Sequence, residues 1–200
     1  MSGTRVILVR HAEPDEQVRN RVYGRLDVEL SERGATHAQE IADALASEPI
    51  TCVYSSPFRR ALATADPLAQ ALALETVVVD ALRELDFGEL EGLTIDEAVA
   101  RYPAEAGWMN APATARFPGG ESVAALRARV LVAVRELASR HADEVVAVFA
   151  HSVPIRTILA DALGMSPDAL FRFDLGYGGL SVVEWFGDTP FVRVVNAVRL

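Results

Sequence analysis

The chain has 200 residues, half of them hydrophobic, and a formal net charge of −9. A chain of this size is expected to fold as one domain, and its acidity argues against nucleic acid as a partner, because phosphate backbones select basic surfaces. The single cysteine excludes a disulfide framework, and no apolar run approaches the ~20 residues that a membrane span needs. We therefore expect a cytoplasmic protein without a membrane partner, and the composition leaves a homodimer open.

Strands and helices alternate along the first part of the chain. The apolar run 6–9 predicts a buried strand; it is too short for the core of a signal peptide, and Arg10-His11 follows it directly. Ser31 is a favoured N-cap for an amphipathic helix. A strand at about 51–55, a helix opened by Pro57 and a third strand at 76–79 come next.

The middle of the chain contains a long irregular stretch. Residues 82–120 are rich in glycine, proline and acidic side chains, and they include one short helix that starts with a capping box at Thr94. A loop region of this length inside a compact domain is usually functional. Ser122 then caps a long helix, and a buried strand at 145–150 ends directly before His151.

The last part of the chain completes an α/β pattern. A helix is expected from about Pro154 to Leu163, followed by strands at 180–186 and 191–197. Strands that alternate with helices of this length predict a three-layer α/β/α sandwich around a mostly parallel sheet. We expect this single domain to span residues 1–200.

Two of the four histidines, His11 and His151, follow the ends of predicted strands. In an open α/β sheet the carboxyl ends of the strands line the crevice that binds ligands. A histidine there is a candidate nucleophile or acid/base catalyst, since its side chain titrates nearest neutral pH. The alternative is structural: Arg10 pairs with a carboxylate such as Glu13, and His11 is a hydrogen-bonded core residue.

A pair of arginines follows the second predicted strand. Arg59 and Arg60 point in different directions on a helix, so at most one reaches the crevice and the other is a surface residue. An arginine in the first helical turn faces the positive end of the helix dipole. That placement is favourable when an anion binds there.

A loop with four acidic residues offers a candidate proton donor. The loop spans residues 82–92, and a carboxyl packed against Leu85 and Phe87 would have a raised pKa and donate a proton. Local composition alone favours the alternative, in which all four carboxylates are solvated or cap helices.

Several other chemistries do not fit the spacing. Cys52 lacks the arginine six residues later that a cysteine-dependent phosphatase needs, because that position is Phe58. The glycine-rich run 176–179 does not complete a dinucleotide fingerprint. We expect His37 and His141 at the surface.

Five motifs occur together in one order. They are Leu-Val-Arg-His at 8–11, Ser-Ser-Pro-x-x-Arg-Ala at 55–61, Glu-x-x-Phe-Gly-x-x-Glu-Gly at 84–92, Pro-Gly-Gly-Glu-Ser at 118–122, and a strand that ends at His151. This set resembles the histidine phosphatase superfamily, in the branch that includes the cofactor-dependent phosphoglycerate mutases. The resemblance implies a phosphoglycerate mutase-like fold.

The resemblance also implies a role for each catalytic position. His11 matches the nucleophile that becomes phosphohistidine; Arg10, Arg60 and His151 match the groups that hold the phosphoryl oxygens; Glu84 matches the proton donor. The charge of Arg10 is expected to lower the pKa of His11 and keep its ring neutral. No metal and no cofactor are required for hydrolysis by this route.

Substrate-binding positions implied by the resemblance are Gln17, Tyr23, Gly24, Phe87 and Ser152. Three of them depart from the family pattern: Gln17 replaces an asparagine of the mutases, Phe87 replaces a tyrosine, and Ser152 replaces a common glycine. The mutases' extra segment after the glutamate motif is shortened as well. These departures favour a phosphatase that acts on a small phosphate monoester. A cofactor-dependent phosphoglycerate mutase and an inactive phospho-ligand binding module are the alternatives.

Overall fold

A computed structural model describes residues 3–200, with Ala106 described by its backbone alone. The strands within this part of the chain are β1 (Thr4–Arg10), β2 (Ile50–Ser55), β3 (Thr76–Val78), β4 (Val145–Ala150), β5 (Leu180–Phe186) and β6 (Thr189–Ala197). They form one sheet in the order β3-β2-β4-β1-β5-β6. The first four strands in that order pair in parallel, and β5 and β6 extend the sheet antiparallel. The prediction of a mostly parallel sheet is therefore confirmed.

Helices cover both faces of the sheet. The described helices of more than one turn are α1 (Glu32–Leu45), α2 (Arg59–Ala71), α3 (Ile95–Arg101), α4 (Pro103–Ala106), α5 (Val123–Arg140) and α6 (Ser152–Ala162). Along β1, Val6 and Leu8 belong to the core shared with α5 and α6, whereas Ile7 and Val9 belong to the core shared with α1 and α2. This alternation is the period of a strand buried on both faces, and it confirms the three-layer sandwich.

Local capping signals determine where several helices begin. The Ser31 and Ser122 hydroxyls accept the backbone N–H groups of the third helical residues of α1 and α5, and Thr94 and Glu97 form the predicted capping box of α3. Helix α6 begins at Ser152, two residues earlier than expected. Pro154 is accommodated because N–H groups in the first turn need no intrahelical partner.

Two expectations were wrong. The segment 82–120 contains a second helix and several single 3₁₀ turns in addition to the expected short helix. The side chain of His141 is only 16% exposed, with Nε2 2.7 Å from the Tyr54 hydroxyl and Nδ1 2.7 Å from a Glu144 oxygen. Tyr54, which lies in β2, is 87 residues away from His141 in sequence, so no local pattern predicted that His141 is partly buried.

In residues 3–200 no helix is long and apolar enough to cross a membrane.

The sheet topology brings three strand ends together. Strand β4 lies between β2 and β1, with Ala150 opposite Arg10 and Phe149 opposite Ser55. Parallel strands end at the same edge of a sheet, so the residues after β1, β4 and β2 are neighbours. This edge is where the candidate site lies.

Candidate active site

His11 follows the last residue of β1 and is 2% exposed. Its ring Nδ1 lies 2.7 Å from the carbonyl oxygen of Ala12. Because a carbonyl only accepts hydrogen bonds, Nδ1 carries the proton and Nε2 keeps a free lone pair. Burial lowers the pKa of His11 well below its ordinary value, and the charges of Arg60 and Arg10 lower it further. The expected lowering by Arg10 is therefore the smallest of these three effects.

His151 lies beside His11 at the end of β4. The two ring centroids are 5.2 Å apart, and His151 is fully buried. Its Nε2 lies 2.7 Å from the Ser56 hydroxyl, whereas its Nδ1 is buried and has no hydrogen-bond partner among residues 3–200. Burial, then Arg60 and His11, hold the pKa of His151 well below its usual range, so this ring too is neutral near pH 7.

The two adjacent arginines point to different surroundings. Arg60, in the first turn of α2, is fully buried, and its guanidinium donates to the carbonyl oxygens of Gly24 and Leu26, both at 2.7 Å. Burial lowers the pKa of Arg60, although nearby carboxylates oppose the shift. Arg59 is half exposed and pairs with Asp27 at 3.4 Å. The structure thus places Arg60 inside the site and Arg59 on its outside.

Arg10 is held against a tyrosine that the sequence did not mark. Its guanidinium donates to the Leu175 carbonyl, and its central carbon lies 4.2 Å from the ring centroid of Tyr177. The Tyr177 ring is 5.6 Å from that of His11, and its hydroxyl is 2.8 Å from the hydroxyl of Tyr23. A tyrosine pair therefore borders the nucleophile on the side of Arg10.

Glu84 lies after a 3₁₀ turn and is 9% exposed. One carboxylate oxygen accepts the Leu85 N–H at 2.9 Å, and both oxygens lie 3.3–3.4 Å from the N–H of Val153 at the start of α6. Burial raises the pKa of Glu84, and those N–H groups, Arg60 and Arg10 only partly oppose the shift. A buried carboxyl with a raised pKa is suited to donating a proton.

The backbone around Glu84 is held by Arg129 of α5. The guanidinium donates to the carbonyl oxygens of Ala81, Arg83 and Glu84 at 2.7–3.1 Å, and it pairs with Glu121 at 2.5 Å. Three carbonyls and a carboxylate on one planar guanidinium fix the position of this loop. Backbone carbonyls carry no sequence signal, so Arg129 was missed.

Two of the predicted substrate-binding positions do not supply a side chain to the cluster. Gln17 is exposed on a single turn capped by Asp15, and it lies outside the cavity beside the cluster, so its position gives the expected role no support. Gly24 is buried and contributes a carbonyl to Arg60. A Cβ at Gly24 would lie 2.0 Å from the Leu85 carbonyl oxygen, so the glycine is required for space.

A cavity of about 260 Å³ opens beside the cluster. Arg10, Glu84 and the remaining predicted positions, Tyr23, Phe87 and Ser152, line it. Ser152 accepts a hydrogen bond from Arg156 at 3.1 Å. The other side chains that line the cavity are mainly apolar: Val22, Leu90, Trp108, Met109 and Phe171. The group attached to a bound phosphoryl would therefore meet aromatic and aliphatic side chains.

Ser56, Tyr177 and Trp108 were missed as site residues. Ser56 directly follows β2, so its strand-end position was a usable signal. Tyr177 lies in the glycine run, where Gly178 has a φ of +67° and returns its N–H to the carbonyls of Arg10 and His11. Trp108 lies in an irregular segment, and the sequence of this segment has no hydrophobic periodicity that would predict where the side chain points. Within residues 3–200 no group of three or more His, Cys, Asp or Glu side chains is arranged as metal ligands.

The sheet, the two histidines at its edge and the buried arginine define the class of protein. The family model of the histidine phosphatase superfamily (branch 1) matches residues 6–198, and the chain belongs to this superfamily of enzymes. It is 35% identical over 181 residues to phosphoserine phosphatase 1 of Hydrogenobacter thermophilus, a match that covers 90% of this chain and 86% of that protein.

Two solved structures share the fold closely. YhfR of Bacillus stearothermophilus superposes with a TM-score of 0.90 at 29% identity over 96% of each chain. The mycobacterial glucosyl-3-phosphoglycerate phosphatase Rv2419c superposes with a TM-score of 0.87 at 29% identity, covering 98% of this chain and 99% of that one. The expected phosphoglycerate mutase-like fold is confirmed. Two of these three relatives are named as phosphatases.

Proposed function

We propose that this enzyme hydrolyses small phosphate monoesters through a covalent phosphohistidine at His11. One observation carries the proposal. Three residues that neighbour or act electrostatically on the neutral, buried His11 each have a buried nitrogen without a hydrogen-bond partner within the described chain: Arg10 Nε, Arg60 Nε and His151 Nδ1. Unpaired buried donors are costly, and a bound phosphoryl group would satisfy all three.

The first step is attack by the nucleophile. The lone pair of His11 Nε2 forms a bond to phosphorus as the bond from phosphorus to the ester oxygen breaks. Charge on the equatorial oxygens is offset by Arg10 and Arg60, and electrostatic stabilisation of this kind supplies most of the catalysis in phosphoryl transfer. Neutrality of His11 matters because a protonated ring has no lone pair to donate.

His151 contributes a neutral donor to this arrangement. The Ser56 hydroxyl accepts the Phe58 N–H at 3.4 Å and has its proton free for His151 Nε2, 2.7 Å away. With Nε2 accepting from Ser56, the ring proton of His151 resides on Nδ1, the nitrogen that lacks a partner. We therefore assign Ser56 as a positioning residue that selects the donor tautomer of His151.

Glu84 moves the protons of both steps. Its neutral carboxyl protonates the departing ester oxygen and becomes a carboxylate. The carboxylate then takes a proton from a water molecule, whose oxygen attacks phosphorus as the bond to His11 Nε2 breaks and its electron pair returns to the ring. Inorganic phosphate leaves, and both side chains regain their starting forms.

The proposal is tested by release of phosphate from p-nitrophenyl phosphate with a chelator present. We expect turnover to be unaffected by the chelator and to fall at least ~10⁴-fold in His11→Ala. His141→Gln is the matched control, because the His141 carbonyl accepts the Thr4 hydroxyl at the start of β1, the end of that strand opposite to His11. Full activity in His11→Ala would contradict the proposal. Loss of parent activity with the chelator would point to a metal-dependent hydrolase.

The mutase alternative is separated by the fate of the phosphoryl group. A phosphatase delivers labelled phosphoryl to water, whereas a mutase delivers it to a second phosphoglycerate. We expect label to appear as inorganic phosphate even with excess 3-phosphoglycerate present. Transfer to phosphoglycerate as the main product would overturn the assignment.

A further inference from the structure

The side chains that line the cavity beside Glu84 determine which alcohol groups a phosphate monoester substrate can carry. The cavity has a volume of about 260 Å³, just below the usual range of ligand pockets, and it borders both Arg10 and Glu84. If Glu84 protonates the leaving oxygen, the rest of the alcohol lies in this cavity. The inference therefore rests on the proposed function.

The aromatic wall of the cavity is preformed. The Trp108 ring meets Phe87 at 5.4 Å and 66°, and it meets Phe171 at 4.8 Å and 87°. Such edge-to-face contacts fix ring orientations and add stability beyond the area buried. Arg156 also fixes the position of Phe171. Its guanidinium carbon lies 5.1 Å from the centroid of the Phe171 ring, and the same guanidinium donates to the Leu170 carbonyl. A ligand would meet a fixed apolar surface.

Few charged side chains surround the cavity. Arg10, Arg21 and Glu84 are the charged residue types in the described lining, and Tyr23 is the other titratable side chain there. Arg10 faces the phosphoryl end. Glu84 is the one carboxyl group in the described lining; it already accepts the N–H groups of Leu85 and Val153, and in the proposed mechanism it faces the leaving oxygen. Arg21 is exposed at the rim and donates to the Gly92 carbonyl at 2.8 Å. An ammonium entering here would lose water without gaining a carboxylate other than Glu84, which is unfavourable.

We infer that the preferred substrates are phosphate monoesters of alcohols with an apolar body about the size of a ring, and that amino alcohols such as phosphoserine are disfavoured. The inference departs from the name of the relative that is 35% identical, phosphoserine phosphatase 1. The observations that support it are the aromatic wall around Trp108 and the absence of any carboxyl group other than Glu84 from the described lining.

The experiment compares primary alkyl phosphates with and without an ammonium group. The ammonium group makes the alcohol a somewhat better leaving group, so a preference for the ester without it reports on binding in the cavity. The probes are 2-phenylethyl phosphate, phosphoethanolamine and O-phospho-L-serine. Burial of a phenyl ring predicts a kcat/KM about 10- to 100-fold higher for 2-phenylethyl phosphate than for either ammonium-bearing substrate. Equal efficiencies, or a preference for phosphoserine, would overturn the inference.

Two variants test whether the cavity is the cause. Trp108→Ala removes the central ring, and Met109→Glu places a carboxylate at a rim position that is 52% exposed and tolerant of charge. Each is expected to reduce the preference for 2-phenylethyl phosphate over phosphoethanolamine at least about fivefold. The matched control is Val132→Glu, an equally exposed apolar residue on α5 outside the cavity, and it should leave the ratio unchanged. An unchanged ratio in both cavity variants would overturn the inference.

Failure of the substrate inference and failure of the proposed function give different results. If p-nitrophenyl phosphate is hydrolysed in a His11-dependent manner but phosphoserine is the better alkyl substrate, the inference alone is wrong. If hydrolysis does not depend on His11, the proposed function is wrong, and the role given to the cavity is wrong with it.

Discussion

The histidine cluster and the apolar cavity meet at Glu84, and they are built in opposite ways. The cluster is polar, almost wholly buried and made of residues that follow sheet strands or open a helix, such as His11, His151 and Arg60. The cavity is mainly apolar, partly open and made largely of loop residues such as Trp108. In the proposed mechanism the cluster binds the phosphoryl group that all substrates share, and the cavity binds the group that distinguishes them.

This division of roles predicts how mutations in the two regions differ in their effects on kcat/KM. A change in the cluster lowers kcat/KM for all phosphate monoesters by the same factor, because they share the transferred group. A change in the cavity alters the ratio between substrates. Glu84 lies on the boundary, so its effect depends on how much the leaving oxygen needs a proton.

Arg60→Ala is expected to have the largest effect after loss of the nucleophile. Removal of a buried guanidinium from the phosphoryl site should lower kcat/KM about 10³-fold for p-nitrophenyl and 2-phenylethyl phosphate alike. Arg59→Ala, one residue away and half exposed, is the control and should stay near parental activity. Circular dichroism checks the fold, since Arg60 also ties down two carbonyls of the preceding loop. A loss of kcat/KM that differs between the two substrates would contradict the role of Arg60 in binding the shared phosphoryl group.

Glu84→Gln tests the role of the residue that lies between the histidine cluster and the cavity. Loss of the proton donor should lower kcat/KM for 2-phenylethyl phosphate about 10²-fold and for p-nitrophenyl phosphate much less, since nitrophenolate leaves without protonation. Turnover should slow for both, because the variant also lacks the base that activates water. Equal losses of kcat/KM on the two substrates would show that Glu84 does not protonate the leaving group.

The pH dependence of the parent enzyme is expected to follow the protonation of His11 and Glu84. His11 must be neutral, and its pKa is lowered, so activity should persist below pH 6.5 and be lost only as pH falls through that lowered value. Glu84 must be protonated, and its pKa is raised above 4.5, so activity on 2-phenylethyl phosphate should be lost as pH rises through that raised value. With p-nitrophenyl phosphate the alkaline decline of kcat/KM should be weaker. Measurement of kcat/KM against pH on both substrates checks these signs, and an identical alkaline decline would contradict the role of Glu84.

Ser56→Ala should have the smallest effect. Loss of the hydroxyl frees His151 to adopt the other tautomer, which removes a donor from the phosphoryl site at a cost of about 1–1.5 kcal/mol, or roughly tenfold in kcat/KM. Ser56→Thr keeps the hydroxyl and should restore most of the activity. An Ala variant that matches the parent on both substrates, or a Thr variant as impaired as Ala, would contradict the positioning role of Ser56.

The sequence predicted the cluster far better than the cavity, and the reason is physical. A buried strand that ends in a histidine is a local pattern, and parallel pairing then brings such ends to one edge of the sheet. The helix starts at Ser31 and Ser122 were predicted for the same reason, because an N-cap acts within one turn.

The cavity depends on contacts that no local pattern encodes. The Trp108 ring packs against Phe171, which is 63 residues later in the chain, and Phe171 is held by an arginine of α6. Arg129 was missed because its partners are mainly backbone carbonyls. Gln17 was expected to bind substrate only because the family resemblance implied it, and the structure leaves it exposed on a turn capped by Asp15.

In the proposed mechanism the phosphoryl group passes through a covalent bond to His11. The most direct test mixes the parent enzyme and Glu84→Gln with ³²P-labelled p-nitrophenyl phosphate, stops the reaction in alkali within one turnover, and maps the label by mass spectrometry. We predict alkali-stable, acid-labile label on His11, with more of it in Glu84→Gln because water attack is slowed. Release of labelled phosphate without label on the protein, or label on another residue such as Ser56, would contradict the account.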